Sequence, residues 1–155
     1  MRWEDIRNSI TSTMKRNIPN ANIYFEEIDN PVFPYFFIDL VDYKKEFNTT
    51  HREWKSIILD IRYHPEQHNK NARSEIIEAL EKLDMSFEFR GNKVLHAKRV
   101  EGNEIKEVRW LTLLDTDITV IDKVGHYVFT LSLFDLYGKP YDYELMKDLE
   151  LQFKD

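Results

Sequence analysis

The stretch from Phe33 to His64, FPYFFIDLVDYKKEFNTTHREWKSIILDIRYH, constrains this chain more than any other. β-Branched and aromatic residues fill both of its halves, and Asn48-Thr49-Thr50 is the polar break between them. That pattern predicts two long strands joined at a tip. Phe33 to Phe47 alone would extend over roughly 50 Å at the usual rise per residue. A compact domain of this length is only about 40 Å across, and an ordinary strand has about five or six residues. The hairpin must therefore curl strongly or stand out from the body.

Its composition changes along its length. Phe33, Phe36, Phe37, Ile38, Leu40 and Val41 face Ile57, Ile58, Leu59, Ile61 and Tyr63 at the apolar end. From Asp42 to Lys55 the residues are mostly Lys, Glu, Asn, Thr and Arg, with Tyr43, Phe47 and Trp54 set among them. This gradient favours protrusion. Aromatics on a protruding strand pair serve as a contact surface, or they pack across the hairpin on one another. Tyr43, Phe47 and Trp54 with Lys44, Lys45 and Arg52 form the candidate contact set.

Around the hairpin, Trp3, Ile6, Ile10 and Met14 make the stripe of an amphipathic helix over Trp3 to Arg16, ended by Asn17 and Pro19. Asn22 to Ile28 alternates as a short strand, and Asp29-Asn30-Pro31 turns the chain. A second helix is predicted from about Asn69 to Leu83, with Ala72, Ile76, Ile77, Leu80 and Leu83 on its apolar face. Ser86 to Arg90 should point Phe87 and Phe89 inward, followed by a turn at Arg90-Gly91-Asn92 and a strand from Lys93 to Val100. Gly102-Asn103 turns again. Residues 105–124 mix periods, with Trp110, Leu111, Leu113 and Leu114 in one apolar run. Gly125 is expected to turn the chain into His126 to Leu136. There Tyr127, Phe129, Leu131 and Leu133 line one face and Val128, Thr130, Ser132 and Phe134 the other, as in a central or interface strand. The fold class is α+β: a mixed or antiparallel sheet with a long protruding β-hairpin and two helices packed on one face. Residues 1–137 form the domain. Residues 138–155 carry Leu145, Leu149 and Phe153 at four-residue steps, with Met146 beside them, and read as a short helix or as an arm ordered on a neighbour.

Composition excludes whole classes of function. Aromatics at 14% and hydrophobics at 42% are too many for a disordered chain. The absence of cysteine removes disulfide scaffolds, zinc fingers and thiol nucleophiles. A net charge of −6 is poorly suited to gripping nucleic acid through its phosphates. With no secretory apolar run at the N-terminus and no bilayer-length apolar segment, the expectation is a soluble protein assembled in a cytoplasm, with no membrane partner. His64 and His68 have a helical metal spacing, but Pro65 lies between them and no third ligand is near. Asp115 and Asp117 would share one strand face and are a weak cation pair. No phosphate-binding glycine loop or nucleophile elbow occurs. The enzymatic alternative is a restriction-endonuclease-like nuclease. Glu53-x-Lys55 with Asp39 or Asp42 would supply the acids for Mg²⁺ and the lysine.

Taken in order, several features resemble the small tail terminator proteins of tailed phages and prophages, in the form found in Gram-positive hosts. They are the helix ending at Ile18-Pro19, Ile23-Tyr24-x-Glu26-Glu27-Ile28 and Pro34-x-Phe36-Phe37-Ile38-x-Leu40. The strand Ile57 to Tyr63 before His64-Pro65, the helix around Ile76 to Leu83 and the strand Val128 to Tyr137 complete the match. The resemblance implies an α+β, non-enzymatic virion protein that needs no cofactor and holds no metal. It implies a ring, usually of six copies, at the head-proximal end of the tail tube, which stops tube polymerisation and offers a joining surface to the head. Its implied partners are itself, the tail tube protein, the head–tail connector protein and, where a tail has one, the sheath protein. DNA would pass through the lumen without specific binding. Another head–tail connector or completion protein is a reading of the same class.

Overall fold

The computed structural model describes residues 1–49 and 52–136 of the 155-residue chain. Helix α1 spans Trp3–Asn17 and buries Ile6, Ile10 and Met14, the stripe expected from their spacing. Glu4 and Asp5 lie in its first turn and Lys15 and Arg16 in its last, each charge placed to favour the helix dipole. Strands β2 (Tyr35–Thr49) and β3 (Arg52–His64) are the long hairpin. They pair antiparallel from Tyr35–His64 to Thr49–Arg52, with a bulge at Val41. Strand β1, Asn22–Tyr24, lies parallel to the start of β2. It is shorter than the predicted Asn22 to Ile28. Phe25 leaves the sheet edge to pack on the core, with the Arg7 guanidinium 4.7 Å from its ring centre.

Helix α2 spans Ala72–Ser86 and buries Ile76, Leu80 and Leu83. Ile77, predicted on that face, is turned toward solvent. Strands β4 (Glu88–Phe89), β5 (Asn92–Glu101) and β6 (Glu104–Thr112) form a three-stranded sheet. Arg90 and Gly91, at φ 50° and 80°, make the tight turn between β4 and β5. Phe87 is buried as predicted, but Phe89 is not. Its ring stacks on Trp110 at 4.8 Å, and Trp110 stacks on His96 at 4.2 Å, on the exposed side of the small sheet.

Strands β7 (Leu114–Ile121) and β8 (Val124–Leu136) complete the larger sheet, whose order is β1-β2-β3-β8-β7. The turn between them is made by Asp122 and Lys123, both left-handed, and not by Gly125. Gly125 stands inside β8 because α2 crosses it there. A Cβ at this position would lie 2.5 Å from Ile76 Cγ2 and 2.9 Å from Leu80 Cδ1. Tyr127, Phe129, Leu131 and Leu133 are all buried, so the two-faced reading of this strand holds.

A single core joins the inner face of the five-stranded sheet to α1, α2, Leu95, Ala97, Leu111 and Leu113. The small sheet leans on α1, where Lys98 N–H donates to Ser9 Oγ at 2.9 Å. Asp84 ties three elements together. It accepts the Tyr127 hydroxyl at 2.7 Å and pairs with Lys93 at 2.5 Å. Burial, then the hydrogen bond to Asp84, push the Tyr127 hydroxyl's pKa far up.

The hairpin is not a free two-stranded arm. Strand β8 pairs with β3 from Arg52–Leu136 to Tyr63–Gly125, so its polar end is three strands wide.

Candidate assembly surface

Strand alternation divides the six candidate contact residues between two faces. Tyr43, Lys45 and Phe47 share the inner side with Glu53 and Lys55, the register partners of Phe47 and Lys45. Tyr43 packs on the core, the Lys45 ammonium sits 5.6 Å from its ring centre, and Lys45 reaches Glu53 at 3.5 Å. Phe47 lies further toward the tip and is 68% exposed. Lys44, Arg52 and Trp54 belong to the outer side, where Lys44 pairs with Asp42 at 3.6 Å. So the structure brings together two smaller groups, not one patch.

The inner side of the polar end holds a buried ion cluster. Asp135 Oδ2 accepts from Lys55 Nζ at 2.6 Å and from the Met1 amine at 3.0 Å, and Asp135 Oδ1 faces Arg109 at 2.7 Å. Lys55 also donates to the Met1 carbonyl at 2.8 Å. Burial alone would pull the Lys55 pKa down, but the Asp135 hydrogen bond and charge outweigh it and hold the pKa above its ordinary value. Burial likewise pushes Asp135 up, and the bonds from Lys55 and the Met1 amine reverse this to leave it depressed. Residues that read as a solvated polar end are thus part of what fixes β3 to β8.

The outer face of the five-stranded sheet has no helix or strand over it among the described residues. Trp54 and Phe134 are directly opposed across β3 and β8, and Trp54 Nε1 donates to Ser132 Oγ at 2.7 Å. Four residues along the strands, Ile58, Thr130 and Leu114 form a second row across β3, β8 and β7. Phe134 is 56% exposed and Leu114 41%. Nearer the other end, Asp60 binds His126 Nδ1 at 2.9 Å and Arg62 Nε at 3.4 Å, while Arg62 reaches Asp39 at 2.5 Å. Phe134, Ile58 and Leu114 were not singled out from sequence as contact residues. The signal for Phe134 was present all the same, in the apolar second face of its strand.

The proposed nuclease residues do not converge. Glu53 and Lys55 lie on the covered side, Glu53 paired with Lys45 and Lys55 in the Asp135 cluster, whereas Asp39 and Asp42 lie on the open side with Arg62 and Lys44. The Asp115 and Asp117 pair is also broken. A bulge separates them from regular pairing and Asp115 is left-handed, at φ 51°. His64 stacks on Tyr35 at 4.4 Å, while His68 is exposed in the loop before α2. Burial, Arg62 and His126 lower the His64 pKa. Among the described residues no group of three or more His, Asp or Glu is placed to hold a metal ion, and no helix is long and apolar enough to cross a membrane.

Comparison with known proteins bears directly on this arrangement. Among curated proteins none matches the chain. One solved structure aligns over 90% of this chain and 99% of its own. Its identity is 14% and its TM-score 0.34, too low to argue from. The family of phage tail terminator proteins matches residues 5–141, from the first turn of α1 to beyond the end of β8. That span includes both helices, both sheets and the whole hairpin, and on it the chain belongs to the phage tail terminator family.

Proposed function

We propose that this chain is the subunit of a ring, of six copies in the form the family suggests, that caps the head-proximal end of a phage tail tube. The observation that carries the reading is the family match over residues 5–141. In this role the protein stops tube growth at its proper length and gives the head connector a surface to join. It acts by shape and contact, as a structural component of the virion tail assembled in the host cytoplasm. A ring built head to tail needs two unlike surfaces on each subunit. The polar end of the hairpin, with Lys44, Lys45, Phe47 and Arg52, supplies one of them to a neighbouring subunit or to the tube. Tyr43 supports it from beneath. Part of the net charge of −6 per subunit lines the lumen, where it repels phosphates and lets DNA pass without sticking.

Replacing Phe47 and Arg52 together by Ser tests this. The substituted chain should fold with unchanged secondary structure but sediment as a monomer, and phage carrying it should make over-long tubes without heads. Tails of normal length joined to heads would overturn the assignment of the hairpin end as a contact.

A further inference from the structure

Helix α1 separates two exposed surfaces of opposite charge. On one flank Ser9, Ser12 and Arg16 recur at helical steps and face β5, where Lys98 N–H donates to Ser9 Oγ. A groove of about 260 Å³ runs between helix and strand, lined by Asn8, Ser12, Thr13, Arg16, His96 and Lys98. Burial, then the charges of Lys98 and Arg16, lower the His96 pKa, so both cations act at that ring. His96 ends the aromatic row His96–Trp110–Phe89, and the Arg90 guanidinium lies 5.1 Å from the Phe89 ring centre at the row's other end. Trp110, in the middle, is 53% exposed, and Val108 on the same strand face is exposed beside it. Aromatic rings at the centre with arginine at the margin are the composition of a protein contact.

On the other flank Arg7 lies over the Phe25 ring, about 200° round the helix from Ser9. Phe25 leads into Glu26-Glu27-Ile28-Asp29, a segment in which all four residues are exposed. Ile28 is 49% exposed between the carboxylates. Arg62 lines the hollow behind this segment but is already paired with Asp39 and Asp60. Among the described residues, none of Arg16, Lys98, Arg90, Glu26, Glu27 and Asp29 is in an ion pair. Cations and carboxylates are each left without an opposite charge in their own subunit, and α1 stands between them.

We propose that the Glu26–Asp29 segment of one copy seats on the Arg16–His96–Lys98 groove of the next, its carboxylates on the cations and Ile28 against Trp110. The two surfaces are unlike and lie on opposite flanks of α1, so the contact runs head to tail and can close a ring. The inference rests on the reading of this chain as a ring subunit, and it names a contact between copies beside that of the hairpin end.

Charge exchange in the full-length chain tests it. One variant carries Arg16→Glu with Lys98→Glu, the other Glu26→Lys with Glu27→Lys. Each should keep the native circular dichroism yet associate at least about ten-fold more weakly in sedimentation, because like charges then face each other. Mixing the two in equal amounts should restore assembly, since each offers the other an opposite charge on both surfaces. Should Arg16→Glu with Lys98→Glu disturb α1, Lys98→Glu with Arg90→Glu takes its place in the mixture. Either variant assembling alone as the native chain does would overturn the contact and leave the ring reading standing. So would two folded variants that stay monomeric when mixed. A native chain that is monomeric at every concentration would overturn the ring reading and this contact with it.

Discussion

Asp135 shows how much of the hairpin's polar end is structural. Its carboxylate sits among Lys55, Arg109 and the Met1 amine with under a tenth of its side chain exposed. Removing one partner of such a cluster leaves the other charge poorly compensated. Lys55→Met should therefore cost about 3 kcal/mol in urea unfolding, at the lower end of the range because Arg109 remains. The double variant Lys55→Met with Asp135→Leu should lose less than the two single changes added together. The pKa directions set the pH window. The depressed Asp135 contributes stability in full above its unfolded value of about 3.9 and loses it as pH falls through the folded value. The raised Lys55 contributes in full below about 10.4 and loses it as pH rises through its folded value. The stability difference between the native chain and Asp135→Asn should thus stay flat from about pH 5 to 9 and shrink toward pH 3. His64, lowered in the fold, weakens both proteins alike below about pH 6.5, so the difference removes it.

At the scale of elements, the contact between α2 and β8 rests on the missing side chain of Gly125. Both Ile76 and Leu80 are fully buried and have nowhere to move. Gly125→Ala should destabilise the protein by about 2 kcal/mol through overpacking, measured by thermal or urea unfolding. A loss under a few tenths would mean that the helix can shift. This same glycine marks what a sequence can and cannot disclose. It read as a turn, because glycine usually signals one, while the turn itself fell to Asp122 and Lys123. Long regular patterns were legible. The α1 stripe and the alternation from Tyr127 to Leu133 follow from periods of 3.6 and 2 that any neighbour would preserve. Positions decided by a distant partner were not. Phe89 is drawn outward by Trp110, Ile77 falls just outside the area α2 buries, and the bulge beside Asp115 shifts its face. The contact surface was half visible for the same reason. The six candidates lie close together in sequence, yet alternation sends three to each side. Trp54's neighbour Phe134 is set by the β3–β8 register, which no local pattern encodes.

For the whole molecule, family and architecture point the same way. A two-layer α+β body closes one sheet face with its helices, and among the described residues no helix or strand covers the other face. Membership of the tail terminator family turns that geometry into an expectation about place. The decisive measurement is the location of this chain in purified particles, read by electron microscopy with a label on the protein. A single ring of density is expected at the head-proximal end of every finished tube, between tube and connector. Label spread along the tube, label at the distal tip, or particles with normal tails that lack the protein would contradict it.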